Sequence, residues 1–405
     1  MMKKLRNIGC VLVIFLTCMS IPAEGISGSI FSRSGIGLLR YSRSAMTFGM
    51  GGVGIASVSR NSLPYLNPAG LSFINLTRFE GSFLYEKTDV SFTNDSGRYT
   101  RAHFNSFQVA FPVKSGYGIG IGLLPYSDVS YSLSRTVAFP EDEATESLTG
   151  TGGLEHGIIH FGGKVTSWLA IGAGLDVYFG RIEKTWRVFF EEGSVYENTR
   201  DEVSSYMSGV GGHAGLILKI SKKINGGAVF YFPANLDLET KTEFRFGEES
   251  NTINSKLKLP LSHGYGLNFT PHTRFQAGVD IFFRSWSRIE PEDFLSQKMK
   301  NTRRLGLGFS YKPSNDLLAG LFSRMSYRFG FSSSTLPFAN NSAEQIQENL
   351  FSFGFTLPFN LNISKVDFGF EYGKRGSIDK NLAEETVFRF QVGVTGGEKW
   401  FIRRR

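Results

Sequence analysis

The sequence predicts an all-β fold, a transmembrane antiparallel β-barrel of about fourteen strands with an N-terminal hatch, or plug. Three observations carry this. Long stretches alternate with period two between large apolar residues and small or charged ones, which is the strand period. The 405 residues include 47 Gly and 38 Phe, a pairing typical of barrels, at a mean hydropathy of only −0.11. A barrel shows lipid only every second residue, so its hydropathy stays near that of a soluble chain. The connections between alternating stretches are short and long in turn, as tight turns at one barrel end and longer loops at the other require.

Residues 1–25 read as a cleaved signal peptide. Lys3, Lys4 and Arg6 precede an apolar run from Ile8 to Ile21, and Ala23 and Gly25 place small residues at a cleavage site. Cys10 and Cys18 both lie in this segment. The exported chain is therefore expected to have no cysteine, which excludes disulfide scaffolds, thiolate metal sites and cysteine nucleophiles.

Residues 26–77 do not alternate. Some fifty residues are too many for a simple tail, and a barrel of about fourteen strands would otherwise have an open lumen, so this stretch reads as the hatch. Residues 78–405 read as the barrel with a short basic C-terminal tail.

Expected strands are 78–92, 99–114, 117–133, 154–166, 168–190, 203–221, 224–246, 251–270, 273–286, 300–312, 318–332, 346–361, 363–375 and 383–396. The clearest has Phe351, Phe353, Phe355, Leu357 and Phe359 against Ser352, Gly354, Thr356 and Pro358. Val366, Phe368, Phe370 and Tyr372 likewise oppose Asp367, Gly369, Glu371 and Gly373. The aromatic face is expected to meet lipid, and the small, charged face a crowded lumen. Short connections fall at 114–116, 166–167, 221–223, 270–272, 313–316 and 360–362. Long ones fall at 134–153, 191–202, 287–299 and 333–345.

The net charge of +8 is spread along the chain apart from Arg403, Arg404 and Arg405, and no basic patch points to nucleic acid. Gly49-Met50-Gly51-Gly52-Val53-Gly54 matches a dinucleotide-binding spacing. It lacks the strand before it and the helix after it, so it reads as a close-packed turn. His156 and His160 share one strand face ~13 Å apart, too far for one metal ion. Glu141, Asp142, Glu143 and Glu146 read as a solvated acidic loop, with divalent-ion binding at a lipopolysaccharide surface as the alternative. Glu80, Asp176, Asp280, Arg284, Arg324, Arg328, Asp367, Glu371 and Arg389 fall on the expected lumenal face. They read as a polar network pinning barrel and hatch, or alternatively as a headgroup site for a carboxylate ligand. No nucleophile motif, H-E-x-x-H or paired-carboxylate pattern is present, so no enzyme, cofactor or metal site is expected.

The most distinctive run is Leu63-Pro64-Tyr65-Leu66-Asn67-Pro68-Ala69-Gly70-Leu71. On its own it reads as a turn. Together with the small residues from Ala45 to Ala56 and the barrel that follows, it resembles the FadL-like outer-membrane transporters of long-chain fatty acids and aromatic hydrocarbons. The resemblance is specific over residues 40–85. It implies a fourteen-stranded barrel closed by a hatch carrying Asn67, Pro68, Ala69 and Gly70. It also implies passive uptake of a hydrophobic small molecule and its release through a gap in the wall, at a kink in the third strand. Gly120, Gly122 and Pro125 are the candidate lateral gate, since proline cannot donate to a ladder. Outer-membrane lipid, lipopolysaccharide and the hydrophobic ligand are the implied partners. The PorV-like branch of the same superfamily implies the alternative, a partner of a secretion machinery or a structural outer-membrane protein. The chain's end departs from the usual barrel-assembly signal, because Phe401 is followed by Ile402 and three arginines.

Overall fold

The computed structural model describes residues 29–41, 44–93, 95–140, 142–246, 251–289, 298–339, 344–359 and 363–398. Residues 1–25, expected as a signal peptide, the basic tail and Glu141 lie outside these. Fourteen antiparallel strands form the wall. They are β1 Thr77–Ser91, β2 Ser96–Lys114, β3 Tyr117–Pro125 and Ser127–Phe139, β4 Asp142–Lys164, β5 Leu169–Phe190, β6 Thr199–Lys219 and β7 Ile224–Tyr231 and Ala234–Glu243. The circuit continues with β8 Asn251–Leu259 and Ser262–His272, β9 Phe275–Arg284, β10 Thr302–Tyr311, β11 Ser326–Ala339, β12 Gln345–Phe359, β13 Ser364–Ser377 and β14 Ala383–Glu398. β14 pairs back onto β1 from Glu384↔Ser91 to Glu398↔Thr77, which closes the cylinder.

Each expected segment overlaps one of these strands, but the outer ends differ. The expected loop 134–153 is a continuous β3–β4 hairpin, paired from Val129↔Gly152 out to Phe139↔Asp142. β11 likewise runs on to Ala339, through residues expected in a loop. The β3–β4 extension carries Ser, Thr and charged residues on both faces, so it shows no apolar alternation even though its backbone pairs. β11 also begins later than expected. Leu321–Arg324 is a single helical turn, which removes Arg324 from any lumenal strand face.

The alternation points as predicted. Ile121, Ile159, Phe161, Leu267, Phe329 and Phe351 are exposed on the outer face, and the residues between them are buried. Such a belt is stable only under hydrocarbon, and no helix among the described residues is long and apolar enough to cross a membrane. The strands are the crossing elements.

The hatch fills the barrel. After a 3-10 turn at Ile30–Arg33, Leu38–Leu39 adds to the outer arm of β3. Ala45–Phe48 forms a helical turn held by a capping box between Ser44 and Thr47. The glycine run that follows has a steric reason: Gly51 turns at φ +62°, and its N–H donates to the Ser352 hydroxyl of β12 at 2.8 Å. It lies so close to β11 that a Cβ on Gly330 would stand 2.1 Å from the Gly51 nitrogen. The lumenal glycines are thus the seat on which hatch backbone meets wall backbone.

Gly330→Ala should therefore unseat the hatch by overpacking, at a cost of about 1–3 kcal/mol. The folded band in heat-modifiability electrophoresis should disappear at a lower temperature. The outward substitution Phe329→Leu should leave that temperature unchanged, and equal behaviour of the two variants would refute the account.

Candidate functional site

Seven prolines fall within the strands or their interruptions, and at one of them a wall ladder ends part-way up. Pro271 and Pro337 sit in irregularities near strand ends. At Pro233 and Pro260 the chains kink side by side, and pairing resumes on both flanks, with Tyr231↔Ser262 below and Ala234↔Leu259 above. Pro112 and Pro358 sit near strand ends within continuing ladders. Pro125 differs. The β2–β3 ladder runs from Lys114↔Tyr117 to Phe107↔Leu123 and stops. Beyond it the outer arm of β3 follows β4 on one edge and the hatch on the other, with Leu38–Leu39 paired to Ser127–Asp128, while Ser96–Ser106 of β2 follows β1 alone. Opposite the break, Gly152 and Gly153 of β4 take φ +107° and +152°, and three residues of β3 face two of β4, a β-bulge that turns the outer arm away from β2. The separation starts ~18 Å up the wall, taking ~3.3 Å per residue and a tilt of about 40°. Gly120 and Gly122 lie below it, paired to β2 and β4. A Cβ on Gly120 would meet His160 Nε2 at 2.3 Å, so these two glycines serve packing, and the interruption begins after them.

Side chains bridge what the backbone leaves open. Arg101 of β2 pairs with Asp128 of β3. Arg40 of the hatch pairs with Asp128 at 2.8 Å and with Glu86 of β1 at 3.0 Å. The Tyr99 hydroxyl donates to the Ser132 carbonyl at 2.8 Å. From Glu86 the chain of charges continues through Arg389 at 2.9 Å to Glu371 and Glu348, then through Arg375 to Glu385. Glu385 holds the start of the hatch by accepting from the Ile30 N–H at 2.8 Å. Desolvating these ions is costly, and each is stable only because its neighbours alternate in sign.

Of the sequence-predicted network, Glu371 and Arg389 belong to this chain. Arg328 and Asp367 pair at 3.2 Å in a second cluster nearer the turn end, with Lys365 and Thr356. Glu80 accepts from Thr395 at 3.2 Å. Asp176 receives His156 at 2.9 Å and His213 at 2.6 Å. Asp280 accepts from the hatch N–H groups of Gly54 and Ile55 at 2.7 and 2.9 Å. Arg284 lies against aromatic rings. The network is therefore several clusters, and the missed members (Arg40, Glu86, Arg101, Asp128, Glu348, Arg375 and Glu385) include those at the wall interruption. Arg40 lies in a hatch without periodicity, and Asp128 sits at an interruption where the face alternation resets, so neither carried a lumenal signal.

The hatch motif is a stitch between hatch and wall. Asn67 is buried and caps the turn Pro68–Phe73 by accepting from the Ala69 N–H at 3.1 Å. Its amide donates to the carbonyls of Ile55, Leu216 of β6 and Ala228 of β7 at 2.8, 3.0 and 3.3 Å. Pro68 and Ala69 lie flat on β4 and β5, where a Cβ on Gly172 would stand 2.5 Å from Ala69 N. Gly70 packs beneath Pro64.

Two cavities beside the start of the hatch measure about 30 and 50 Å³. Each is closer to one or two waters than to an organic molecule. Both touch Arg40 and Tyr41 of the hatch.

A family model described as BamG matches residues 1–405. The chain belongs to the BamG family. No curated protein matches it. The BamG-family fold is also that of several solved barrels. A Pseudomonas aeruginosa FadL homologue has 12% identity and a TM-score of 0.65, over 90% of this chain and 99% of that one. The Ralstonia pickettii toluene transporter TbuX has 13% identity and a TM-score of 0.60, over 88% and 99%. The Pseudomonas putida toluene transporter TodX has 15% identity and a TM-score of 0.58, over 90% and 99%. This BamG-family chain therefore shares with them a barrel plus hatch over nearly its whole length.

Asp128→Ala leaves Arg40 and Arg101 without their shared carboxylate, and should cost ~3 kcal/mol. Amide hydrogen exchange across residues 127–139 should accelerate while that of β9 and β10 stays as in the parent. Unaltered exchange at 127–139 would show that the ion pairs do not hold the outer arm.

Proposed function

We propose that this chain is an outer-membrane channel for passive uptake of hydrophobic small molecules, of the long-chain fatty acid or hydrocarbon class. The ligand enters at the far rim, and hatch movement releases it sideways through the wall. The observation that carries this reading is the β2–β3 ladder ending at Phe107↔Leu123, beside Pro125, with a hatch residue, Arg40, bridging the interruption. A sheet in lipid ordinarily pairs every strand edge. An interruption bridged by side chains and by the hatch, whose Leu38–Leu39 pairs with Ser127–Asp128, couples plug position to wall opening. The turn end, where the hatch passes into β1, then faces the periplasm. The likeness to toluene transporters supports the same class of cargo. No step needs an energy source, since an apolar molecule moves down its gradient.

A second reading rests on a different observation. The lumen around Arg40 and Tyr41 is filled, and the two cavities there are too small for any such cargo. A permanently closed barrel would serve as an outer-membrane scaffold or as a partner of a secretion machinery, the role implied by the PorV-like branch.

Uptake of radiolabelled toluene and hexadecane by a deletion strain, complemented with the parent gene, separates the two. The channel predicts that uptake falls on deletion and returns with the gene. Unchanged uptake, together with loss of a co-purifying outer-membrane complex, would establish the scaffold and overturn the channel.

A further inference from the structure

The hatch is purely cationic. Residues 29–76 contain Arg33, Arg40, Arg43 and Arg60 and no Asp or Glu. The end of the barrel where the hatch passes into β1 has the same bias. Its short turns carry Lys114, Lys164, Lys219, Arg274, Lys312 and Arg324 among others, against Asp316 and, at the close of β14, Glu398. Residues 360–362 and 399–405, which adjoin this end in the chain, add no Asp or Glu. The turns contribute their cations separately, so no basic run marks the rim in the sequence, and closure of the barrel gathers it. A rim of one sign attracts anions.

A cavity of about 230 Å³ lies at this end, between hatch residues 57–62 and the turn ends of β8 to β13. Its lining includes Arg274, Lys312, Arg324, Arg328 and Lys365 and no carboxylate. Asp367 answers Arg328 at 3.2 Å and Lys365 at 2.8 Å. Arg274, Lys312 and Arg324 form no ion pair among the described residues. Asp316 is exposed, lies outside the lining and accepts from the Leu318 N–H at 2.9 Å. Backbone bonds draw the three unanswered cations together. The Lys312 N–H donates to the Arg274 carbonyl at 2.8 Å, and the Ser314 N–H donates to the Ser323 carbonyl, beside Arg324, at 2.7 Å. Arg274 is exposed, but Lys312 and Arg324 are half-buried. Partial burial and the neighbouring Arg324 hold the Lys312 ammonium below its ordinary range. Arg324 Nε is shut off from solvent and has no acceptor, which is costly for a charged donor. Hydroxyl groups of Ser59 and Ser62 of the hatch and Thr273 of the wall line the same space.

We infer that this cavity is a binding site for a phosphate group, held between the hatch and the turn ends of the wall by Arg274, Lys312 and Arg324. A phosphate carries about −1.5 to −2 charge near neutrality and three strong acceptor oxygens, which matches three unanswered cations with hydroxyl donors around them. A carboxylate offers one charge and two oxygens. The cavity holds roughly seven waters at ~30 Å³ each, enough for a phosphate with a small head group. Two kinds of molecule carry such a group, a phospholipid of the membrane and a soluble phosphate, and the same donors serve both. The bound group joins hatch to wall, because the lining comes from both. This site lies at the turn end, away from the wall interruption, and is independent of what the barrel conducts.

Calorimetry on the detergent-purified full chain, in phosphate-free buffer at constant ionic strength, tests the site with inorganic phosphate, acetate and dioctanoyl phosphatidic acid. Phosphate should bind saturably and acetate much more weakly. Lys312→Gln and Arg324→Gln should each weaken phosphate about ten- to hundredfold, the worth of one charge-assisted hydrogen bond. Arg324→Lys, which keeps the charge, should retain most of the affinity and so controls for folding. Lys222→Gln removes a charge from the same rim but outside the cavity, and should leave the affinity as in the parent. Phosphatidic acid binding tighter than inorganic phosphate, with the same dependence on Lys312 and Arg324, would assign the site to a lipid head group. Inorganic phosphate binding as tightly would assign it to a soluble phosphate. Acetate binding as well as phosphate, or phosphate affinity untouched by both glutamine variants, would overturn the site. Equal losses in Lys222→Gln and Lys312→Gln would overturn it too, by reducing it to the diffuse charge of the rim. Because binding is measured on purified protein, absence of toluene uptake would leave the site standing, and absence of phosphate binding would leave the channel reading standing.

Discussion

A sheet that stands in hydrocarbon has to satisfy its own backbone, because lipid offers neither donors nor acceptors. Every other feature of this barrel follows from how that demand is met, and from the one stretch where it is met differently. Around most of the circumference, neighbouring strands pair from rim to rim. Between β2 and β3 they pair only as far as Phe107↔Leu123. There the wall relies on Arg101, Tyr99, the hatch-borne Arg40 and the short hatch strand Leu38–Leu39 to span the space. A backbone ladder is cooperative and rigid, whereas a few side-chain contacts open one at a time. The stability of the wall is thereby lowest where the hatch touches it.

The lumen answers a second demand, that of filling a cylinder this wide. The hatch does so with backbone as much as with side chains, and so the inner wall is small. Gly330 against Gly51, and Gly172 against Ala69, let two main chains approach closer than any Cβ would allow. Polar bonds then fix the register of that contact. Asn67 reaches the carbonyls of two adjacent strands, and Asp280 collects two hatch N–H groups. The close contacts give the plug its shape, and the directional bonds give it its address. A plug held by directional bonds at discrete points can leave some of them while keeping others.

Much of this was legible in the residues alone. Phe351, Phe353 and Phe355 against Ser352, Gly354 and Thr356 specify a strand, its faces and its environment at once, because lipid and lumen impose opposite demands on alternate positions. The outer ends were not legible. Above the membrane both faces are wet, so the hairpin that Arg135 and Glu146 pair within carries no apolar rhythm and read as a loop. Pro125 marked the kink, but the sequence alone did not distinguish it from Pro233 or Pro260, because what sets it apart is a missing neighbour far away in the chain. Asp128 and Arg40 were missed for the same reason: their meaning lies in which strands fail to meet. Arg324 was misassigned because a helical turn replaced the expected start of β11.

The filled lumen and the interrupted wall pull toward different functions, and the charges help to weigh them. A barrel meant only as a scaffold gains nothing from ending one wall ladder part-way up. Nor does it gain from holding one strand arm through a residue on its plug. Tyr41, whose ring packs against Arg284 and Arg304, follows directly on Arg40, which pairs with Asp128. A molecule that only had to be stable would have no use for that adjacency. A molecule with a closed and an open state does, because the same bonds that seal the wall then report what occupies the lumen.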